Sequence, residues 1–264
     1  IVLARQIKLV VLNPQEFNTT FTDFEDKIKQ SQEYQELFAE AYPTINKEKT
    51  ISRYSISDAL ANYIAELYSF NSEFDQYVKG EIAEIDPSVI NGFNIFMGKG
   101  ACGTCHFAPT FNGLVPPLYS ESESEVLGVP ATTDSINPQL DADVGRIDNG
   151  INPDLFPFYA HSFKTVTVRN VALTAPYMHN GVYNTLEEVM DFYNKGGGSG
   201  MGIDVAHQTL PDAPLGLTKK EISDVISFME ALTDTTNLTN RPVMLPKFKE
   251  HPEWNNRPIG GKDY

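Results

Sequence analysis

The sequence of 264 residues predicts a mainly α-helical fold with long irregular loops. Three observations support this prediction. Apolar residues recur every three to four positions in several segments, capping residues precede some of them, and no segment shows the strict alternation of a half-buried strand. The proline-rich stretch 107–165 has little periodicity, which predicts a long irregular region of the kind that is usually functional in a compact domain.

The first elements are two amphipathic stretches. Residues 21–42 have helical apolar spacing that ends at Pro43, and a second pattern covers residues 55–70. The second pattern places one apolar stripe on a helix, which we expect to face the core. Its members are Leu60, Ala61, Ile64, Leu67 and Tyr68.

The next predicted helix leads directly to the two cysteines of the chain. Asp86 is a suitable N-cap and Pro87 a suitable first helical residue, while Gly98 marks the end. Apolar residues between them lie on one face of this helix. The helix therefore delivers the chain to the cysteine motif.

Two helices follow the irregular region, and each opens with a Thr-x-x-Glu capping box. The boxes are Thr185 with Glu188 and Thr218 with Glu221. Between them, "GGGSGMG" predicts a flexible or tightly turned loop, and the proline-containing tail from residue 235 predicts an extended surface segment.

Composition limits the classes of partner. The formal net charge of −15 argues against nucleic acid as a ligand, because phosphate binding needs a basic face. The apolar runs are far shorter than the roughly 20 residues of a membrane span. We therefore expect neither nucleic-acid binding nor a membrane span.

The motif Cys102-Gly-Thr-Cys105-His106 matches C-x-x-C-H, in which two thioethers attach haem c and the histidine ligates its iron. A redox dithiol is an alternative, but it usually follows a strand in a βαβ unit, and that pattern is absent here. A zinc site is another alternative, but the chain has no second cysteine pair, and its other histidines lack ligand spacing. The motif thus favours covalent haem c.

Covalent haem c also suggests the compartment. Since this cofactor is assembled on the outer side of the bacterial inner membrane, we expect a periplasmic protein. The chain begins without Met, on "IVLARQIKLVVLNPQEF", which reads as the interior of a longer protein with a cut or missing N-terminus.

The segment "FKTVTVRNVALTAPYMHNGVYNTLEEVMDFYNKGGG", residues 163–198, resembles the C-terminal haem domain of the bacterial di-haem cytochrome c peroxidase/MauG superfamily. "SEFDQYVKGE", "GFNIFMGKGACGTCH" and "DADVGR" are similar to the same family's approach to its second haem. The resemblance implies a cytochrome c-like helical haem domain over 21–234, followed by the extended tail 235–264. It also implies two haems with calcium between their domains. This chain has one C-x-x-C-H, so the second haem is expected in a missing N-terminal haem domain.

Residues 1–20 resemble the end of that N-terminal domain, as a residual part of its haem pocket. Gln6 and Glu16 match in type and spacing a glutamine and a glutamate that line the distal side of the peroxide-activating haem in the family. The resemblance implies a catalytic role, with the carboxylate moving a proton between peroxide oxygens. Without the resemblance, Glu16 reads as a surface carboxylate.

Helical spacing alone leaves three candidates for the sixth ligand of the iron, namely Tyr193, Met190 and Met178. In the family the ligand lies fourteen residues after the histidine of "APYMHNG", which leads here to Tyr193. MauG-type members carry tyrosine at this position, whereas electron-relay peroxidases carry methionine. A phenolate favours oxidised iron and lowers the reduction potential relative to a thioether.

Three further residues are assigned by the resemblance. His179 resembles a histidine beside the haem edge, the alternative being a satisfied buried histidine. Thr174 and Pro176 match positions whose backbone carbonyls bind the interdomain calcium, the alternative being an ordinary loop turn.

The implied activity is that of a haem c oxidoreductase with hydrogen peroxide as the oxidant. A peroxidase would take electrons from a small cytochrome c or cupredoxin, whereas a MauG-like enzyme would oxidise a side chain of a partner protein. Tyr193 favours the second. The alternative from a different class is a mono-haem electron-transfer domain without catalysis.

Overall fold

The computed structural model describes residues 3–149, 151–236, 238, 240 and 242–258. The helices are α1 (Leu3–Leu12), α2 (Phe21–Lys29), α3 (Gln32–Ala41), α4 (Arg53–Glu66), α5 (Glu73–Lys79), α6 (Pro87–Met97), α7 (Phe156–Tyr159), α8 (Leu186–Asn194), α9 (Gly197–Gly200) and α10 (Lys219–Glu230). The strands β1 (Ser124–Val126) and β2 (Ser162–Lys164) form one antiparallel pair. The prediction of a mainly helical fold is confirmed.

The chain divides into two compact units, one formed by residues 1–68 and 237–264 and the other by 69–236. These limits differ from the domains expected at 1–20, 21–234 and 235–264. In the first unit α1 packs against α4, and Ile7 and Val11 of α1 share a core with Ile56. The described part of the tail joins the same unit, because Ser31 Oγ donates to Lys247 O at 2.7 Å.

The predicted helical stretch 21–42 forms two helices, α2 and α3, although its apolar periodicity shows no break between them. Ser31 is fully buried, and its side chain caps α3 by accepting a hydrogen bond from Tyr34 N at 3.3 Å. A buried N-cap needs an extended backbone, so α2 ends before it.

The apolar stripe predicted for α4 does not face the core. Four of its five members are exposed by 37–60%: Leu60, Ile64, Leu67 and Tyr68. The helix instead packs through Ile56, which is 3% exposed, with Ala61 against the same cluster. The stripe prediction was wrong because the position of α1, which periodicity does not reveal, selects the buried face.

In the second unit α6 and α10 cross in close contact and carry the main core. Gly92 permits this approach, because a Cβ there would lie 1.9 Å from the backbone oxygen of Asp224. Phe96 of α6 and Phe228 of α10 pack with ring centroids 5.2 Å apart and are almost completely buried. The end of α6 is thereby fixed, and with it the start of the cysteine motif.

The predicted caps are present. Asp86 Oδ1 accepts from Ser88 N at 2.8 Å, and both Thr-x-x-Glu boxes form at the starts of α8 and α10. The stretch 107–165 is mostly turns and loops, as predicted, apart from the two short strands and short helical segments. "GGGSGMG" is a tight turn containing α9, in which Gly198 lies directly against Gly128. Of the helices in the described ranges, none has the length and apolarity that crossing a membrane would need.

Candidate haem-binding site

The cysteine motif is a tight turn directly after α6. Ala101 has a left-handed backbone with φ of 55°, and residues 102–104 form one turn of 3-10 helix. The amide of His106 donates to Cys102 O at 2.9 Å, which closes the turn. Both cysteines are free and half-buried. The turn therefore presents two unpaired thiols and one imidazole from five consecutive residues.

The tautomer of His106 follows from its partner. Its Nδ1 lies 3.1 Å from Phe111 O, and since a carbonyl oxygen only accepts, Nδ1 must carry the proton. Burial lowers the pKa of His106, against the opposing effect of the Phe111 and Val166 carbonyls. A neutral imidazole protonated at Nδ1 keeps the Nε2 lone pair for a metal.

The two thiols are protonated in the absence of a cofactor. Burial raises the pKa of Cys102 to about 12 and that of Cys105 to about 11, with Glu125 adding to the second shift. The surroundings therefore do not stabilise a thiolate, as a reactive dithiol or a zinc site would require.

Tyr193 lies on α8 and is half-buried in a small cluster with Phe192 and Met178. Its ring packs against that of Phe192 with centroids 5.5 Å apart. Burial raises the pKa of its phenol, and the charge of Glu125 adds to the rise. Helix α8 thus places a protonated phenol in the same unit as the attachment motif.

The two methionine alternatives have different surroundings. Met190 is 3% exposed and packs in the main core together with Phe96 and Phe228. Met178 is half-buried in the same small cluster as Tyr193. Met178 has a positive φ of 67° in the turn before α8. Cys102 packs against the main core that contains Met190, whereas the smaller cluster of Tyr193 and Met178 contains neither cysteine, so these contacts leave all three residues as candidates.

Two carboxylates that the sequence analysis did not single out lie beside the motif. One oxygen each of Glu123 and Glu125 and the Cys105 sulfur lie within 4.8 Å of one another. Burial raises the pKa of Glu123, and the neighbouring charge of Glu125 adds to the rise. If Cys105 formed a thioether, this set would offer no thiolate to a metal, and the two carboxylates would remain beside the attachment motif. The acidic alternation in "SESESE" is the sequence signal that could have identified them.

His179 forms a polar cluster with a residue far from it in sequence. Its Nε2 lies 3.2 Å from Asp141 Oδ1, and its ring stacks on Phe163 with centroids 3.6 Å apart. Asn180 donates to the other oxygen of Asp141 at 3.0 Å. Asn180, followed by the amide of Asp143 and by His179, lowers the pKa of Asp141 to about 2. The imidazole is thus held by a carboxylate that sequence spacing does not connect to it.

The residues expected to bind calcium lie in the exposed turn before α8. Thr174 Oγ1 donates to Val171 O at 3.1 Å, so this side chain is engaged within the turn. Thr174 and Pro176 are both exposed. Their role in calcium binding stays a prediction.

Gln6 and Glu16 lie in the first unit. Gln6 is exposed on α1, and Glu16 is exposed in the turn that follows it, where Asn13 Nδ2 donates to Glu16 Oε1 at 2.9 Å. Cys102, Cys105 and Tyr193 all lie within the second unit. The catalytic assignment of Gln6 and Glu16 stays a prediction.

The donor set in the second unit fits haem c. Two free thiols stand at the attachment spacing, the neutral imidazole of His106 offers Nε2, and Tyr193 supplies a half-buried phenol in the same unit. Phenolate and imidazole are both established axial ligands of haem iron.

Comparison with known proteins identifies the family. A family model described as di-haem cytochrome c peroxidase matches residues 2–83. The cytochrome-c peroxidase IdrP2 of Denitromonas iodatirespirans is 31% identical over 205 residues, covering 71% of this chain and 51% of that relative. The methylamine utilization protein MauG of Methylorubrum extorquens is 26% identical over 230 residues, covering 87% of this chain and 58% of that relative.

A solved structure shares the fold. It is a MauG-like protein associated with microbial copper homeostasis, with a TM-score of 0.68 and 25% identity, covering 89% of this chain and 69% of that one. The chain spans about half the length of the cytochrome-c peroxidase it matches. From its motif, its fold and these relatives, the chain belongs to the di-haem cytochrome c peroxidase/MauG family.

Proposed function

We propose that this chain is the C-terminal haem part of a haem c oxidoreductase that uses hydrogen peroxide as its oxidant. The observation that carries the proposal is the attachment turn, in which two free thiols and an imidazole protonated at Nδ1 stand at the spacing of a haem c motif. Haem c at this site would supply a one-electron couple that stores or relays oxidising equivalents. The second haem, in sequence outside this chain, would be the one that meets peroxide.

The residues of the chain have separate tasks in this proposal. Cys102 and Cys105 hold the haem as thioethers, and His106 ligates through Nε2 while donating from Nδ1 to Phe111 O. Tyr193 would be the further ligand of the iron. Because burial raises the pKa of the free phenol, its proton has to leave when the oxygen binds a cation, which favours the ferric state.

The first unit would contribute to the pocket of the second haem, with Gln6 and Glu16 on its distal side. Exposed Glu16 would move a proton between peroxide oxygens. Calcium bound by the carbonyls of Thr174 and Pro176 would support the arrangement between haem domains, and His179 would lie at the haem edge.

Two substrates of different kinds fit a site with these ligands. If a small cytochrome c or a cupredoxin supplies the electrons, the enzyme is a peroxidase. If a side chain of a partner protein is oxidised instead, the enzyme is MauG-like. Phenolate ligation favours the second, because it stabilises oxidised over reduced iron. The proposed compartment is the periplasm, where covalent haem c is formed.

Replacing Tyr193 by Phe tests the ligand. We expect a changed ferric absorption spectrum and a higher reduction potential for the haem attached at Cys102. Tyr183→Phe is the matched control, since Tyr183 is a buried tyrosine in the same cluster and its pKa responds to Asp191 and Glu188 but not to the cysteines. An unchanged spectrum and potential in Tyr193→Phe would refute the ligand assignment, and a red charge-transfer band in the wild type would indicate methionine.

A haem count tests the class of protein. Intact mass and a pyridine haemochrome assay on the natural full-length protein should give two haems per polypeptide. One haem, without peroxide-dependent oxidation of a reduced cytochrome c, a cupredoxin or a protein substrate, would favour the mono-haem electron-transfer alternative.

A further inference from the structure

The loop after the attachment motif holds the hydrogen-bond acceptor of the proximal histidine. Phe111 supplies this carbonyl at 3.1 Å from His106 Nδ1, and it is 2% exposed with a positive φ of 48°. A bulky residue in this region of φ is an outlier that persists only where the surroundings enforce it. Something must therefore hold the backbone at 109–111.

Residues 167–169 hold this backbone, because each of these three residues donates to one of the carbonyls of residues 109–111. Thr167 Oγ1 donates to the carbonyl of residue 110 at 2.6 Å, and Val168 N to that of Phe111 at 3.0 Å. Arg169 donates to the carbonyl of residue 109 from Nε at 3.0 Å and from Nη2 at 2.7 Å. The Phe111 carbonyl thus has two donors, His106 and Val168.

Arg169 fixes this segment in turn. It forms a two-pronged ion pair with Asp75, both contacts at 2.8 Å, and donates to Ser69 O at 2.8 Å. Together with the two bonds to Pro109 O, all five of its N–H donors have acceptors. Its side chain is 6% exposed, and its guanidinium lies 5.5 Å from the centroid of the Phe111 ring. Lysine lacks the planar fork that this arrangement uses.

We propose that Arg169 is a positioning residue for the haem ligand His106. By holding residues 109–111, it keeps the Phe111 carbonyl where His106 Nδ1 donates to it. That hydrogen bond raises the basicity of the imidazole and so stabilises ferric over ferrous iron. The inference rests on the proposed function only in that His106 ligates haem c.

The test is the reduction potential of the haem attached at Cys102, measured in the holoprotein by potentiometric titration. In Arg169→Gln we expect the ferrous-to-ferric ratio at a fixed potential to rise about tenfold, which is about 59 mV for a one-electron couple. The rise follows because a weaker Nδ1 hydrogen bond makes the imidazole a poorer donor to ferric iron. The frequency of the iron–histidine stretching vibration should fall in parallel.

Asn170→Ala is the matched control. Asn170 is the next residue, and its side chain makes three comparable hydrogen bonds, with Ser69 Oγ, Asp234 O and Asp234 N at 3.0, 3.0 and 2.7 Å, none of which touches the loop 109–111. It should lower stability and leave the potential and the vibration unchanged. Equal shifts in both variants, or no shift in Arg169→Gln, would overturn the proposal.

Two milder variants decide the matter if Arg169→Gln fails to fold. Arg169→Lys keeps the charge opposite Asp75 but loses the fork, and Thr167→Val removes one exposed contact to the loop. Both should shift the potential upward by less than Arg169→Gln, and unshifted potentials in both would overturn the proposal. A wild-type protein without covalent haem in a pyridine haemochrome assay would instead contradict the proposed function.

Discussion

Gly92 provides a test in which two physical effects have opposite signs. Alanine in a helix interior is favoured over glycine by about 1 kcal/mol, so propensity alone predicts that Gly92→Ala stabilises the protein. The structure predicts the reverse. The new Cβ would lie 1.9 Å from Asp224 O and 2.9 Å from Phe228 Cβ, where ordinary contact begins at 3.4 Å.

The size of the effect follows from that shortfall. Helices α6 and α10 would have to separate by about 1.5 Å at this point, since the nearest atom belongs to backbone that cannot rotate away. Overpacking of a core costs about 1–3 kcal/mol. With a cost of about 3 kcal/mol and a propensity gain of about 1 kcal/mol, we expect a net loss of about 2 kcal/mol in the free energy of unfolding.

Urea unfolding followed by circular dichroism measures this difference. Asn91→Ala is the control, because Asn91 is an exposed neighbour on the same helix and should gain about 0.5 kcal/mol from propensity. Haem content should also fall in Gly92→Ala, because α6 sets the start of the cysteine motif. A Gly92→Ala protein at least as stable as the wild type would show that the two helices do not approach as described.

Two further predictions concern buried and partly buried carboxylates. Asp75→Asn should lower the free energy of unfolding by about 3–5 kcal/mol, because it leaves the Arg169 guanidinium buried without its counter-charge. Asp191→Asn, which removes the exposed ion pair with Lys195, should lower it by less than about 1 kcal/mol. Equal losses in the two variants would contradict this reasoning. Asp141, whose pKa Asn180 and other donors lower to about 2 from 3.8, contributes stability that is present above pH 4 and lost as the pH falls toward 2. Asp141→Asn should therefore flatten the dependence of stability on pH in that window, measured by thermal unfolding, and an unchanged slope would show that the carboxyl is not held as described.

Local features were predictable because local sequence decides them. The caps at Asp86, Thr185 and Thr218 formed as expected, since an N-cap side chain bonds to backbone amides two or three residues away. The break at Ser31 was missed because its hydroxyl also bonds to Lys247, a partner more than 200 residues away. The stripe on α4 was misassigned for a related reason, because the helix that covers α4 is not encoded in its own periodicity.

The candidate site shows the same division. The spacing of Cys102, Cys105 and His106 identified haem attachment, since one turn of backbone fixes all three residues. Glu125 was not identified, because the acidic alternation of "SESESE" does not by itself reveal that the chain folds back to bring this carboxylate beside Cys105. Asp141, the partner of His179, also went unrecognised, since it lies 38 residues from it along the chain.

The sequence by itself determined the helical class, the haem attachment motif and the family resemblance, all of which depend on residues within one or two turns of each other or on aligned motifs. Only the tertiary structure decided that Met190 enters the main core while Met178 and Tyr193 share a smaller cluster. Only the tertiary structure brought the Arg169 guanidinium to the carbonyl of Pro109, in the loop whose Phe111 carbonyl accepts from His106. The physical reason is that a hydrogen bond or a buried contact depends on distance in space, which the order of residues specifies only through the packing of the whole unit.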